Sequence, residues 1–129
     1  MALTVPAKGT IWEDGAATCM ARVLGNAGTA ITQASLTGIS AKVFDIDSAT
    51  PATAITTPTV TVATAVFDTL QTGARWTIDA TGYNFLFTVA ASNFATPDHR
   101  YIVEFVFDPT SGEDWPCVFQ IAVNAIIGS

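Results

Sequence analysis

The chain has few side chains that could act as acids, bases or nucleophiles. Its one histidine, His99, lies in the stretch ATPDHRY, just before a segment of strand character. A Ser-His-Asp or Cys-His arrangement needs that imidazole beside a nucleophile placed by the fold. Nothing in the local sequence suggests such a partner. We therefore expect His99 to be a solvated loop histidine, and we predict no catalytic residue.

Paired carboxylates are the other candidates, because they do acid–base work or bind Ca²⁺. Asp45 and Asp47 stand two residues apart near the end of a strand-like segment. This spacing suits a calcium ligand pair and equally suits ordinary solvation of a strand edge. The sequence has neither EF-hand spacing nor a phosphate-binding glycine loop. We interpret these carboxylates as solvated and predict no metal and no cofactor. The same interpretation covers Glu13 with Asp14, and Asp108 with Glu113 and Asp114.

The two cysteines, Cys19 and Cys117, are far apart and lack the CxxC spacing of a metal or redox site. The N-terminal stretch MALTVPAKGTIWEDG has no apolar core of signal-peptide type. We therefore expect synthesis in the cytoplasm without a signal peptide. Buried free thiols are favoured in that compartment. A disulfide is the alternative.

Composition limits the class of protein. A chain of 129 residues is expected to form a single domain over 1–129. Hydrophobic residues make up 50% and charged residues only 12%, about half the usual charged fraction. Much of the surface must therefore be Thr, Ser, Ala or apolar, which favours protein partners. The net charge of −6 and the scattered cations argue against nucleic-acid binding. No apolar run approaches the roughly 20 residues of a membrane helix, so we expect no membrane contact.

Strand-forming residues recur with period two along the chain, which predicts an all-β fold of about seven strands, a sandwich or a barrel. The loop SATPATAITTP is expected to be exposed, with little packing of its own. The last two strands should form a hairpin with a solvated acidic tip, and Glu104 should mark its outer face. The predicted strands are 18–25, 39–47, 59–67, two within 75–91 around a turn at Thr81 and Gly82, 101–108 and 115–124.

Aromatic residues near strand ends have two interpretations. Trp12, Trp76 and Trp115 each lie beside a strand terminus, where capping of the core is favoured over stacking on a sugar. Tyr101 follows FATPDHR at the entry to the penultimate strand. This position is typical of a tyrosine corner, whose hydroxyl bonds back to the preceding loop.

Three stretches resemble a known family: ARVLGNAGTAITQASLTGISAKVFD (21–45), DTLQTGARWTIDATGYNFLFTV (68–89) and YIVEFVFDPTSGEDWPCVFQIAV (101–123). Their order is similar to that of small immunoglobulin-like (Ig-like) virion proteins of tailed bacteriophages. It is also similar to the N-terminal sandwich modules of phage baseplate upper proteins. The resemblance implies an Ig-like antiparallel β-sandwich of about seven strands that is present in many copies on a particle.

The function that the resemblance implies is structural. We expect a non-enzymatic virion protein, specifically a capsid decoration (cement) protein that binds and stabilises the assembled shell. Its expected partners are the major capsid protein, other virion proteins and further copies of itself. The alternative is a tail or baseplate module that binds a host glycan through Trp or Tyr, which clustered exposed aromatics would favour. An enzyme would require perturbed carboxylates in a cleft.

Apolar residues outside the strongest strands are the predicted interface. They belong to two contact arms, 1–12 and 124–129, and to the Pro- and Thr-rich loop. The alternative is that the first arm is simply the first strand of the sandwich and that the second finishes the last strand. The predicted interface residues are Leu3, Val5, Pro6, Ile11, Trp12, Pro51, Ile55, Pro58, Ile126 and Ile127.

Overall fold

A computed structural model of the chain describes residues 7–25 and 28–127. These residues form eight strands, one single-turn helix and two short 3₁₀ turns, at Gln33–Ser35 and Ala91–Asn93. The strands are β1 (Ala7–Trp12), β2 (Ala17–Ala21), β3 (Leu36–Asp45), β4 (Thr59–Val60), β5 (Val66–Gln71), β6 (Tyr83–Val89), β7 (Arg100–Pro109) and β8 (Trp115–Asn124), and the helix α1 is Val62–Ala65.

The strands form two sheets that pack face to face. One sheet has five strands in the order β1-β8-β7-β3-β4, and the other has three in the order β2-β6-β5. The chain is therefore an all-β sandwich, as predicted. The expectation of purely antiparallel sheets is wrong for β1, which runs parallel to β8 from Ala7 opposite Phe119 to Trp12 opposite Asn124. A parallel pair needs a long connection, and here most of the chain supplies it.

The β7–β8 hairpin supplies most of one wall of the core. The inward positions of β7 alternate strictly and are almost fully buried, which confirms the predicted hairpin. From the opposite sheet, the ring of Phe85 lies edge-on to Phe105 and Phe107, with centroids 4.9 and 5.0 Å apart. Burial of each of these rings stabilises the fold by roughly 1.5–3 kcal/mol.

Tyr101 forms the predicted tyrosine corner. Its hydroxyl oxygen accepts a hydrogen bond from the backbone N–H of Thr96 at 3.0 Å. Its ring is almost fully buried and lies edge-on to Phe94, with centroids 5.3 Å apart. The side chain therefore fixes the loop before β7 to the core.

The predicted strand 59–67 is wrong, because the chain changes sheets within it. Val60 in β4 lies opposite Ile39 in the five-stranded sheet. Val66 in β5 lies opposite Phe85 in the three-stranded sheet. The single turn of α1 carries the chain between the two layers. The sequence predicted one continuous strand because apolar and polar residues alternate with period two on both sides of this turn.

The predicted strand at 75–79 is also wrong, since residues 72–82 contain no strand. Asp79 organises this loop by accepting bonds from the N–H of Gly82 and from Nε1 of Trp76, both at 3.1 Å, and from Arg22 at 2.8 Å. These three donors lower the pKa of Asp79 to about 2. Gly82 has φ of 102°, and a Cβ there would lie 2.3 Å from a backbone oxygen of β5, so the turn requires glycine.

Candidate interaction surface

The side of the five-stranded sheet that faces away from the core carries a group of apolar residues among polar ones. Side chains alternate along a strand, so the residues of β3, β7 and β8 that do not face the core project from this side. Most are half-buried in the isolated chain, whereas the side chain of Trp12 is 62% exposed. We call this surface the outer face. Its apolar members are Trp12, Phe44, Ile102, Val106, Pro116, Val118 and Ala122.

Strand register places these side chains next to one another. Phe44 is directly opposite Ile102 across β3 and β7, and Val106 is opposite Pro116 across β7 and β8. The central charges, Lys42 and Glu104, are opposite each other in the register. Opposite charges at paired positions compensate one another. The outer face therefore has apolar pairs on both sides of a compensated charge pair, and its centre carries little net charge.

This arrangement differs from that of a sheet with one solvated side. Antiparallel strands with one face in water alternate apolar and polar residues, whereas strands covered on both faces are apolar almost throughout. The β7 segment YIVEFVF has a single charged residue, Glu104, which the sequence analysis expected to mark the outer face. The residues that it missed are Phe44, Ile102, Val106 and Val118. Their signal was the near-absence of polar residues at alternate positions.

Predicted interface residues from the two chain ends meet at one edge of this sheet. Trp12 ends β1 opposite Asn124 of β8. The backbone N–H of Glu13 donates to the Asn124 carbonyl, and the Glu13 carboxylate accepts from the N–H of Ile126, each at 2.8 Å. Ile127 is 100% exposed. Trp12, Ile126 and Ile127 therefore lie close together, although residues 7–12 form a strand of the sheet.

The other predicted interface residues lie elsewhere. Ile11 is half-buried and packs against the core. Pro51, Ile55 and Pro58 lie at the opposite edge of the five-stranded sheet, in a loop that is largely exposed, as expected, but hydrogen-bonds to β3. In this loop the N–H of Ile55 donates to the Val43 carbonyl of β3 at 2.8 Å. Three of the predicted residues fall outside the described part of the chain: Leu3, Val5 and Pro6.

His99 is not the solvated histidine that we expected. Its Nδ1 lies 2.8 Å from Oδ2 of Asp45, a buried carboxylate at the end of β3. Asp47 instead accepts from the backbone N–H of Arg100 at 2.7 Å and from its guanidinium at 3.0 Å. The Arg100 bonds lower the pKa of Asp47 to about 2. The two carboxylates are thus engaged by different partners, because antiparallel pairing brings the start of β7 beside the end of β3.

No group of three or more His, Cys, Asp or Glu side chains in residues 7–25 and 28–127 is arranged to hold a metal ion. The thiols of Cys19 and Cys117 are both free, with Cys19 buried and Cys117 half-buried. Burial, together with the neighbouring Cys117, raises the pKa of Cys19 to about 12, and burial raises that of Cys117 to about 11. Since the thiolate is the nucleophile, neither thiol is activated at neutral pH.

The three tryptophans differ in their surroundings. Trp115 is buried against Gly25, as expected of a residue that caps the core. Trp76 is half-buried, and its ring lies 5.5 Å from that of Tyr83. The prediction of core capping is wrong for Trp12, because its ring projects from the outer face into solvent.

Comparisons with protein-family models, with curated proteins and with solved structures find no significant match. Within the described part of the chain, no helix is both long and apolar enough to cross a membrane. Function is therefore inferred from the surfaces of this chain.

Proposed function

We propose that this chain is a non-enzymatic structural protein that binds other protein chains through its outer face. The observation that carries the proposal is the group of apolar residues on the outer side of β3, β7 and β8. Contiguous apolar patches of this kind mark interaction sites in soluble proteins. The exposed Trp12 extends the patch at one edge of the sheet, and tryptophan is among the residues enriched at interface centres.

Binding through this face would carry a small free-energy penalty for desolvation. Apolar side chains gain free energy when they leave water, at about 25 cal/mol per Å² of buried area. Burying an unpaired charge is costly, but Lys42 and Glu104 lie opposite each other. The outer face therefore offers apolar side chains around a compensated charge pair, which a protein partner could cover at a small desolvation cost.

The specific role that we propose is that of a capsid decoration protein in the virion of a tailed bacteriophage. The resemblance of the sequence to Ig-like virion proteins supports it. The orders β8-β7-β3 and β2-β6-β5 also agree with the G-F-C and B-E-D orders of Ig-like sandwiches, as does the tyrosine corner at the start of β7. The chain departs from antibody domains in having Cys117 on β8 and no tryptophan on β3.

The proposal is tested by cosedimentation of the purified chain with capsid shells that lack accessory proteins and are built from the major capsid protein of the same genome. We expect binding at a fixed ratio to the shell subunit. Val118→Lys should remove it, because the change places a charge in the apolar face. The new cation lies opposite Glu104, so the fold should be retained. Thr88→Lys, on the exposed side of the three-stranded sheet, is the matched control and should bind normally.

One result would contradict the decoration role, and another would contradict the outer face as the contact surface. Failure of the folded wild-type chain to bind shells would exclude decoration. Equal binding by wild type and Val118→Lys would show that another surface contacts the shell. Circular dichroism of both variants establishes that each is folded.

One observation favours the alternative of a tail or baseplate module that binds a glycan. Trp76 and Tyr83 are both half-buried neighbours on the three-stranded sheet side, and such aromatic pairs can stack on sugars. A titration of tryptophan fluorescence with host surface polysaccharide tests it. Saturable quenching that is lost in Trp76→Ala would support glycan binding, and an unchanged spectrum would exclude it.

A further inference from the structure

The sandwich has four sheet edges, and the described residues protect only two of them. The β4 edge is a strand of two residues that follows Pro58, and both features discourage further pairing. The β5 edge is covered by Gln33, whose Nε2 donates to the carbonyls of Ala63 at 3.1 Å and Val66 at 2.8 Å. No described strand pairs with the outer edge of β1 or of β2. An uncovered edge presents unpaired N–H and C=O groups to an incoming strand.

These two open edges flank a groove of about 290 Å³. Its inner surface includes Phe119 and Ile121 of β8 and Cys19 of β2. The groove exists because small residues, Ala7 and Gly9, occupy the inward positions of β1 opposite Phe119 and Ile121. A Cβ added at Gly9 would meet no atom within 4 Å. This volume is at the low end of the range for ligand sites, which suits the side chains of a single strand.

The groove has the opposite charge to the rest of the protein. Lys8 and Arg75 both line it, and no Asp or Glu does. The whole chain has five Lys and Arg against eleven Asp and Glu, so this local excess of cations is unusual. Arg22 and Arg100 form ion pairs with carboxylates, whereas neither Lys8 nor Arg75 has a carboxylate within 4.0 Å among the described residues.

We propose that the groove between β1 and β2 binds an extended acidic segment of a partner protein, which adds as a strand to the free edge of β1. Backbone hydrogen bonds to β1 would provide affinity, as in other cases of strand addition. Alternate small apolar side chains would enter the space beside Gly9. The carboxylates between them would lie beside Lys8, which alternates with Ala7 and Gly9 along β1, and Arg75 adds a second positive charge to the groove. This inference goes beyond the proposed function, because the groove lies at the sandwich edge and does not depend on the outer face.

Binding is tested by fluorescence anisotropy with labelled, acetylated peptides that alternate Glu with Val, with Thr or with Ala, each about eight residues long to match one strand. We expect at least one peptide to bind saturably, and its counterpart with Lys in place of Glu to bind about tenfold more weakly. The double variant Lys8→Glu/Arg75→Glu should weaken the Glu peptide by about tenfold and reverse the preference.

Gly9→Leu tests the groove itself. The leucine would fill open space without a backbone clash, so we expect a folded protein with at least about tenfold weaker peptide binding. Gly38→Leu is the matched control, since Gly38 is also a strand glycine with nothing within 4 Å of an added Cβ. Gly38→Leu should bind the peptide normally. Val118→Lys, which changes the outer face, should also bind the peptide normally, so the peptide assay tests the groove independently of the proposed function.

Three outcomes would overturn the inference. The first is that none of the three Glu peptides saturates below about 1 mM. The second is equal binding by wild type and Gly9→Leu. The third is self-association, measured by sedimentation equilibrium, that Gly9→Leu abolishes while the peptides fail to compete. That result would make a second copy of this chain the occupant.

Discussion

Replacement of Asn84 by alanine should destabilise the sandwich more than its small change in volume suggests. Asn84 is buried in β6, and its Oδ1 accepts the N–H of Val23 at 2.7 Å, just beyond the end of β2. The Nδ2 of Asn84 donates to the Val23 carbonyl at 3.0 Å. That carbonyl stays paired when the amide is removed, because it also accepts the N–H of Ile31 at 3.1 Å. The Val23 N–H loses the one bond described for it.

The expected loss follows from these contacts. A buried N–H without a partner costs about 1–3 kcal/mol. The space left by the amide adds roughly 1 kcal/mol, for a total of about 2–4 kcal/mol. In a domain of this size, such a loss lowers Tm by roughly 10 °C. Amide hydrogen exchange at the end of β2 should also become faster, because Asn84 holds the backbone of Val23 in place.

Urea unfolding, followed by tryptophan fluorescence, measures the free energy of unfolding of Asn84→Ala against wild type. Thr18→Val is the control. It removes a hydroxyl that pairs with Thr88 on the exposed side of the same sheet, and it should change stability by less than about 0.5 kcal/mol. A loss below about 0.5 kcal/mol in Asn84→Ala would refute the argument from the unsatisfied N–H.

Three further predictions concern the tyrosine corner, the Asp79 loop and the thiols. Tyr101→Phe leaves the Thr96 N–H without its acceptor and should lower the free energy of unfolding by about 1–2 kcal/mol; unchanged urea midpoints would contradict this. The pKa of Asp79 is lowered from 3.8 to about 2, so its contribution to stability is present above about pH 4 and is lost as pH falls toward 2. The difference in free energy of unfolding between wild type and Asp79→Asn should therefore shrink as pH falls from about 4 to 2. A difference that does not change with pH would contradict this prediction. Cys19 and Cys117 should react slowly with a disulfide reagent at neutral pH and rapidly after unfolding in urea, whereas immediate labelling of the folded protein would show that the thiols are accessible.

The sequence predicted best those elements that lie within one sheet. The last hairpin was expected at 101–108 and 115–124, and the strands are Arg100–Pro109 and Trp115–Asn124. The tyrosine corner was also predicted, because Tyr101 and Thr96 are close in the chain. In the hairpin the alternation of residues within each strand was enough for the prediction, and in the tyrosine corner the two bonded residues are near each other in the sequence.

The errors occur where the chain changes layer or where its structure depends on distant residues. Alternation over 59–67 continues through α1, and nothing local shows that Val60 and Val66 belong to different sheets. The loop around Asp79 is held partly by Arg22, far away in the sequence. The same reason explains His99, whose partner Asp45 is 54 residues away.

The candidate surface was predicted in part. Trp12, Ile126 and Ile127 were chosen because they are apolar residues outside the strongest strands, but their proximity depends on the parallel pairing of β1 with β8. Ile102 and Val118 were missed, because the predicted interface was restricted to apolar residues outside the strongest strands. Apolar residues on both sides of β7 were visible in the sequence, whereas their alignment with Phe44 required the strand register.

The most direct test of the outer face is hydroxyl-radical footprinting of the wild-type chain, free and bound to shells. We predict that Trp12, Phe44 and Ile102 lose reactivity on binding, while Leu70, an exposed residue of β5 in the other sheet, does not. Protection of Leu70 with unchanged reactivity of the outer-face residues would contradict the account.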